Sequence, residues 1–421
     1  MKFTAEMSAL SNGVRFARTA LASPGSRDFS SKLFRFEVAE ESLSILAANT
    51  KIACLAKLPL LKRDARIQEP IVFGANGHKF AGLLDNVSSE IAVLTVDDQN
   101  VKVEVGSATV NFARCNPVNL ARVHAELVRE ASGQGPLVST SALADALYVT
   151  KSCSATFPVQ PDRCHSELRN GQFVATDGSR VIVITCSHGF GSAALKVGHA
   201  EHTAVLNALA HVLGRDIRVI AGASQTYFST PPNDFVIGFR TIERSFPPLE
   251  KQILALNARD EFSIDKDALL GSCRIVPFGL PDGEVRIDLA LETLGPGKSG
   301  LEAILHVEGT NEIGRISRED SPCGRKAREP ITLAVSFEHM LATLAVFVGD
   351  SVVDLKVTDV GLVILDRSPS REVVTVIPYR NTVSTATATA GMTAPAPAPA
   401  DFGQRAGSEP PSDIDFEQVI E

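Results

Sequence analysis

The sequence predicts an α+β fold built from three similar domains in tandem. Two observations carry this prediction. An amphipathic helix joined to alternating strands occurs six times along the chain, in two interleaved series with one period. After position 380 the composition changes abruptly, so the repeated part ends there. We predict domains at residues 1–130, 131–258 and 259–380, followed by a tail at 381–421 that forms no core.

In the first series a short strand leads into a helix that carries an Ala-Leu pair. The leucines of these pairs are residues 10, 143 and 269, within the segments Phe3–Leu21, Leu137–Cys153 and Phe262–Ile275. In the first helix Leu10, Val14 and Ala17 recur at helical spacing and form one apolar stripe. The stripe predicts that this helix packs on a sheet with one face.

In the second series the helix comes first and the apolar period then changes from helical to alternating. The segments are His78–Val105, His202–Phe228 and Phe337–Leu365, and their first strands begin near positions 91, 217 and 353. Alternation of apolar and polar residues is typical of a strand with one buried face. Each predicted domain therefore contains two helix-plus-sheet halves, with antiparallel sheets backed by two helices.

The tail has a different composition from the rest of the chain. Asn381–Ala400 is rich in Thr, Ala and Pro, and residues 401–421 are acidic. Such segments bury too little apolar surface to fold, so we predict a disordered tail. The tail has six acidic residues and one basic residue, which leaves the body nearly neutral although the whole chain carries −8. A protein that grips DNA by bulk charge has a basic body, so any DNA contact must use a local basic surface.

Several classes of protein are excluded by the pattern. No apolar run reaches the roughly 18 residues of a membrane helix, and the first residues lack the apolar centre of a signal peptide. The seven scattered cysteines form no metal-binding spacing and are typical of reduced thiols in a cytoplasmic protein. No nucleophile, general base, phosphate loop or metal set is present. We therefore expect no catalytic residues, no metal and no cofactor.

Four segments resemble the bacterial DNA polymerase III beta subunit, the sliding clamp. They are MKFTAE at residues 1–6, FVATDGSRVIVI at Phe173–Ile184, RSFPPLEKQI at Arg244–Ile253 and VVTVIPYR at Val373–Arg380. The resemblance covers about residues 1–380. It implies three tandem clamp domains in a head-to-tail homodimer that forms a ring around double-stranded DNA, without sequence specificity. Such a ring is a non-catalytic processivity factor that tethers DNA polymerase and is loaded by a clamp loader, in the cytoplasm and at the nucleoid.

The same resemblance implies a pocket that accepts short partner peptides with an apolar or aromatic end. The implied pocket residues are Thr176, Gly178, Arg180, Val181, Pro247, Val376, Ile377, Pro378, Tyr379 and Arg380. DNA-facing candidates are basic residues on or beside the helices, together with an arginine in a GSR loop. These are Arg15, Arg18, Arg27, Lys79, Lys151 and Arg215. Each of them is equally compatible with an ordinary solvated surface charge.

Two further segments carry hypotheses. Partner peptides of the family resemble Gln-x-x-Leu-x-Phe, and Ile414 and Phe416 stand at the Leu and Phe positions of the tail, with Pro411 in place of Gln. One hypothesis is that they occupy the pocket and compete with partners, and the alternative is an acidic tail that only adds solubility. Residues 308–330 read as an inserted basic loop. The helices at 203–213 and 337–348 contain no Lys or Arg. This departure favours, as an alternative, a clamp-derived peptide-binding scaffold that does not encircle DNA.

Overall fold

Six strand-helix-strand units, two in each of three repeats, organise the molecule. The structure is a computed structural model, and it describes residues 1–63, 69–154, 165–186, 190–222, 224–242, 245, 249–275, 286–293, 302–310, 315–325, 331–347, 352–368 and 371–381. The chain divides into a unit at Met1–Thr382 and a second unit at Val383–Glu421. All described residues belong to the first unit.

Each repeat consists of two halves, and each half contains one helix with strands before and after it. Repeat 1 consists of β1 (Lys2–Glu6), α1 (Met7–Arg18), β2 (Leu33–Val38), β3 (Ser42–Ala48), β4 (Ile52–Pro59), β5 (Lys62–Arg63), β6 (Ile71–Asn76), α2 (Gly77–Asp85), β7 (Ile91–Val96), β8 (Asn100–Val105) and β9 (Ala108–Ala113). Helix α3 (Ala121–Ala131) follows it. Repeat 2 consists of β10 (Leu137–Ser139), α4 (Thr140–Lys151), β11 (His165–Arg169), β12 (Gln172–Thr176), β13 (Val181–Cys186), β14 (Leu195–Gly198), α5 (His199–Ala210), β15 (Asp216–Ala221), β16 (Gln225–Ser229) and β17 (Phe235–Arg240).

Helix α6 (Leu249–Leu254) precedes the third repeat. Repeat 3 consists of β18 (Asp260–Asp265), α7 (Lys266–Ile275), β19 (Arg286–Thr293), β20 (Glu302–Thr310), β21 (Arg315–Arg325), β22 (Ile331–Ser336), α8 (Phe337–Val346), β23 (Val352–Val357), β24 (Leu362–Ser368) and β25 (Arg371–Ile377). The short strand β26 (Tyr379–Asn381) pairs with β22. Short 3-10 turns lie at Ser30–Lys32 and Val118–Leu120.

The repeats are joined by strand pairing, always between corresponding strands. Strand β4 pairs antiparallel with β17, and the partner residues include Ala56 and Phe235. Strand β13 pairs in the same way with β25, with Val181 opposite Val376. In both junctions the last strand of a first half meets the last strand of the next repeat's second half. One eight-stranded and one 13-stranded sheet therefore cross the repeat boundaries, and β9 ends a five-stranded sheet.

The helices lie in pairs, α1 with α2, α4 with α5 and α7 with α8, and bury one face on the sheets. Strand-to-helix steps are fixed by polar caps at three places. Asn76, Ser139 and Ser336 each accept a hydrogen bond from the backbone N–H three residues later. In α1 the backbone at Gly13 comes so close to Leu58 that an added Cβ would lie 2.8 Å from Leu58 Cδ1. The stripe predicted for this helix is confirmed, since Leu10, Val14 and Ala17 are buried.

All six predicted helices and the strands beside them are confirmed. The expectation of a loop at residues 308–330 is wrong where the structure describes it, because Arg315–Arg325 forms β21 and pairs with β20. Backbone hydrogen bonding to a neighbouring strand, which local composition does not reveal, accounts for this difference. None of the helices in the described part of the chain is long and apolar enough to cross a membrane.

Candidate partner-binding and DNA-facing sites

The ATDGSR segment forms a tight turn between β12 and β13 that is closed by its own side chains. Asp177 Oδ1 accepts hydrogen bonds from the backbone N–H groups of Ser179 and Arg180, both at 2.9 Å. Thr176 Oγ1 donates to the Arg180 carbonyl at 2.7 Å and accepts from the Gly178 N–H at 3.0 Å. Gly178 has a φ of 93°, which explains why glycine stands there. Asp177 is thus a turn-forming residue.

Arg180 is a buried connector between the second and third repeats. Its Nε donates to Asp177 Oδ2 at 2.8 Å, its Nη1 to the His339 carbonyl in α8 at 3.4 Å and its Nη2 to the Ser152 carbonyl after α4. The residue is 6% exposed. A guanidinium held in this way orients the turn and the two helices. A ligand would therefore contact the residues around Arg180 rather than its guanidinium.

Mostly apolar side chains form two rows across four strands on one face of the β13–β25 junction. One row is Val174, Val183, Val374 and Leu365, and the other is Thr176, Val181, Val376 and Val363. Ile253 of α6 packs on them, and so does Leu256. Val181 and Val376 are only half-buried, so the rows end in an accessible apolar surface beside the Asp177–Arg180 turn.

The remaining residues of the implied pocket do not all lie on this surface. Ile377 is fully buried in the main core, on the opposite face of β25 from Val376, because successive strand residues alternate. It therefore does not line the junction surface. Pro378 is exposed, and Tyr379 is half-buried with its Oη donating to the Thr358 carbonyl at 2.6 Å. Pro247, Ile414 and Phe416 lie outside the described residues, and for Arg380 only the backbone is described.

The α1 and α2 candidates form a small, partly neutralised basic surface. Arg15 Nε lies 3.1 Å from Asp85 Oδ1, and Arg18 Nη1 lies 2.8 Å from Asp85 Oδ2, at the end of α2. Both arginines remain about half-exposed, and Lys79 on α2 is exposed as well. One carboxylate thus offsets part of the charge of three cations on this helix pair.

The other basic candidates lie on the next helix pair and in loops. The Arg215 guanidinium stacks over the Phe235 ring at 5.3 Å, and Phe235 meets Phe16 of α1 edge-on at 4.9 Å. This chain of contacts brings repeat 2 against α1. Lys151 Nζ donates to Thr203 Oγ1 at 2.8 Å, between α4 and α5. Arg27 is exposed in its loop.

Comparison with known proteins decides the fold. No protein-family description and no curated protein matches the sequence. The DNA polymerase III subunit beta of Pseudomonas aeruginosa is 16% identical, superposes with a TM-score of 0.73 and covers 90% of this chain and 99% of its own. The DNA polymerase sliding clamp of Bacillus subtilis is 14% identical, with the same coverage and a TM-score of 0.72. The chain has the DNA sliding clamp fold. The resemblance seen in the sequence is therefore confirmed at the level of the fold.

The histidines of this clamp fold add little positive charge to the helices. Burial, together with the nearby His199 and Lys151, lowers the pKa of His202 to about 3. Burial also lowers the pKa values of His211 and His339. These three side chains are therefore neutral near pH 7, and they do not replace the missing Lys and Arg of α5 and α8.

Acid should destabilise the clamp fold through His202. The ordinary histidine pKa is 6.5, so between that value and about 3 the unfolded chain takes up a proton that folded His202 refuses. Stability is therefore greatest above pH 6.5 and falls as the pH drops below it. Melting temperatures at pH 7 and pH 4.5 should show a smaller acid loss in His202→Leu than in the wild type. Equal losses in the two proteins would contradict this assignment.

Buried thiols give no sign of nucleophilic chemistry. Burial raises the pKa values of Cys54 and Cys153 to about 12 and that of Cys186 to about 11. A thiol attacks as its thiolate, so these groups are unreactive near neutral pH. In the part of the chain that the structure describes, no cluster of His, Cys, Asp and Glu could hold a metal ion.

Sequence reasoning missed a buried ionic connection at the same junction. Arg371 of β25 is 4% exposed and pairs through Nη1 with Asp145 of α4. Its Nη2 lies 3.9 Å from Asp366 Oδ2, and Asp366 is fully buried. Arg371 Nη2 also donates to the Val346 carbonyl at the end of α8, at 3.5 Å. Only a charge at the start of a mostly apolar strand, Arg371 in REVVTVI, could have indicated it.

Proposed function

We propose that this protein is a DNA sliding clamp, a processivity factor that encircles duplex DNA and holds DNA polymerase through a peptide-binding site. The repeated strand junction is the observation that carries the proposal. The same kind of strand pairing occurs at two junctions within one chain, so a second copy of the chain can extend the arrangement by pairing in the same way. The three repeats would then be clamp domains at residues 1–130, 131–258 and 259–380.

Ring closure would use β9 and β21, two strands that are not paired in this way within the described part of the chain. Strand β9 has one neighbour among the described residues, and β21 meets β18 only at its end, through Gly324 and Arg325. By position in their repeats, β21 corresponds to β4 and β13, while β9 corresponds to β17 and β25. Pairing of β21 in one protomer with β9 in the other gives a head-to-tail dimer that closes after two copies.

Weak DNA contact is compatible with this function. Partly neutralised cations such as Arg15 and Arg18 make salt-sensitive contacts with phosphates, without sequence preference. A closed ring stays on DNA because of its topology, so strong binding is unnecessary and would oppose sliding. Tethered enzymes gain a high local concentration at the template. The proposed role needs no cofactor, metal or catalytic residue and places the protein in the cytoplasm, at the nucleoid.

Threading on linear DNA tests the encirclement directly. Full-length protein is incubated with a biotinylated linear duplex, the ends are blocked with streptavidin, and the complex is washed in high salt. A ring should survive the wash and leave when the duplex is cut. Ends blocked before incubation should prevent loading. Protein that washes off in every case would favour the second candidate, a peptide-binding scaffold that does not encircle DNA, which the neutral histidines and the Asp85-paired arginines support.

A charge placed on the junction surface should abolish partner binding. Val181→Glu puts a carboxylate into the apolar rows, so a Gln-x-x-Leu-x-Phe peptide should lose at least about 2 kcal/mol, or roughly thirtyfold in Kd. Fluorescence anisotropy of the labelled peptide measures the loss. Ser179→Ala changes an exposed residue of the neighbouring turn and should leave Kd unchanged. Equal affinity of Val181→Glu and the wild type would place the peptide elsewhere.

A further inference from the structure

A cavity of about 140 Å³ lies at the other repeat junction, where β4 pairs with β17. Its floor is one row of residues in register across β3, β4, β17 and β16: Ala48, Ala53, Gly238 and Tyr227. The small side chains of Ala48 and Ala53 leave a hollow, and Leu127 above Gly238 and the Tyr227 ring bound it. The corresponding strands at the β13–β25 junction carry mostly Val and Leu in their rows, so the hollow belongs to the first junction.

Helix α3 forms a rigid wall of this cavity. Leu127 packs against the sheet so closely that a Cβ added to Gly238 would lie 2.7 Å from Leu127 Cδ2. Val123 and Glu126 line the same wall. Tyr227 Oη donates to Glu126 Oε1 at 2.7 Å, and burial, with this carboxylate beside it, raises the pKa of Tyr227. The Glu126 carboxylate is thus already engaged, and the cavity is formed before any ligand arrives.

Two cations stand at the mouth. Lys51 lies in the turn between β3 and β4, and Arg240 ends β17. Both side chains are exposed, and neither forms an ion pair with a residue that the structure describes. The two cations outnumber the Glu126 carboxylate, so the mouth has a net positive charge. The floor of the hollow is apolar, while Asn49, Thr50 and Gln225 add polar groups to its lining. This arrangement complements a carboxylate next to an aliphatic side chain.

We propose that this cavity binds an acidic peptide segment of a partner protein, with one aliphatic side chain in the hollow and flanking carboxylates against Lys51 and Arg240. The size is appropriate, because an apolar cavity of about 150 Å³ holds a benzene-sized group. A free carboxylate ligand without an aliphatic group would leave the hollow empty, and a purely apolar ligand would not use the cations. The site is separate from the Val181–Val376 surface and would allow the protein to hold two partners at once.

Binding of a defined peptide tests this site. The probe is fluorescein-labelled Ser-Asp-Asp-Leu-Asp-Asp-Ser, titrated with full-length protein at low salt. Replacing its Leu by Ala, or its four Asp by Asn, should weaken binding by about tenfold or more. Lys51→Glu and Arg240→Glu should each weaken it by about tenfold, and both residues are exposed, so folding is not at risk. Ala53→Leu fills the hollow and should remove binding.

Val181→Glu serves as the matched control at the other junction and should leave the affinity for this probe unchanged. Absence of binding at about 1 mM protein would overturn the proposal, because a Kd above about 1 mM means a binding free energy of less than about 4 kcal/mol, too weak to hold a partner. Equal binding of the Leu and Ala probes would show attraction by charge alone and would also overturn it. Binding that persists in Ala53→Leu but is lost in Val181→Glu would place the peptide at the second junction instead.

Discussion

Arg371→Leu should lower the melting temperature by about 10 °C, the largest effect expected of any single substitution considered for this chain. The substitution removes the guanidinium that lies 3.9 Å from the fully buried Asp366 and that bonds to Asp145 and the Val346 carbonyl. Breaking a buried ion pair from one side costs about 3–5 kcal/mol, because the remaining charge stays in a medium of low polarity. Circular dichroism during heating measures the shift.

Two variants distinguish the loss of the buried ion pair from a general sensitivity of β24 and β25 to substitution. Asp366→Leu combined with Arg371→Leu removes both charges, so the double variant should be more stable than Arg371→Leu alone. Arg367→Leu lies on the same β24 strand, where its guanidinium is 57% exposed and lies 4.0 Å from Asp354, so its effect should stay below about 1 kcal/mol. A double variant as unstable as the single one would show that Asp366 does not depend on Arg371.

Asn111→Pro should convert the proposed dimer to a monomer and halve the mass in solution. Residue 111 lies in β9, the edge that the proposed ring closure would use. Proline removes one backbone N–H and fixes φ, so a strand that contains it accepts a new neighbour poorly. Light scattering after size exclusion measures the mass. The variant should also fail to remain on end-blocked DNA, since a crescent cannot enclose the duplex.

Asn111→Ala provides the control, because it removes the side chain and keeps the backbone donor. It should retain the dimer mass and the retention on DNA. Circular dichroism of Asn111→Pro should match that of the wild type, since residue 111 is exposed at the end of a sheet. A proline variant that keeps the dimer mass would rule out β9 as the closing edge, whereas a wild type that is itself monomeric would favour the scaffold candidate.

The local parts of the architecture follow from the sequence alone. The helical spacing of apolar residues predicted the six helices, and their alternation predicted the strands, because side chains on one face of an element recur with the period of that element. The repeat spacing indicated three similar units. The turn at the ATDG segment is also local in origin, since Asp177 and Gly178 supply the acceptor and the left-handed backbone that such a turn uses. The family resemblance put Val181 and Val376 in one implied pocket, and in the structure they are register partners across β13 and β25.

The tertiary structure decided everything that depends on which strands meet. Pairing of β13 with β25 buries Arg180 and puts Ile377 on the opposite face from Val376. The approach of α4 to β25 creates the Asp145–Arg371 pair, over 226 residues of separation. The row that ends in Gly238 and Tyr227 leaves a cavity only because β17 lies beside β4. Contacts of this kind join residues that share no local pattern, so spacing and composition carry no record of them, and only the folded chain determines them.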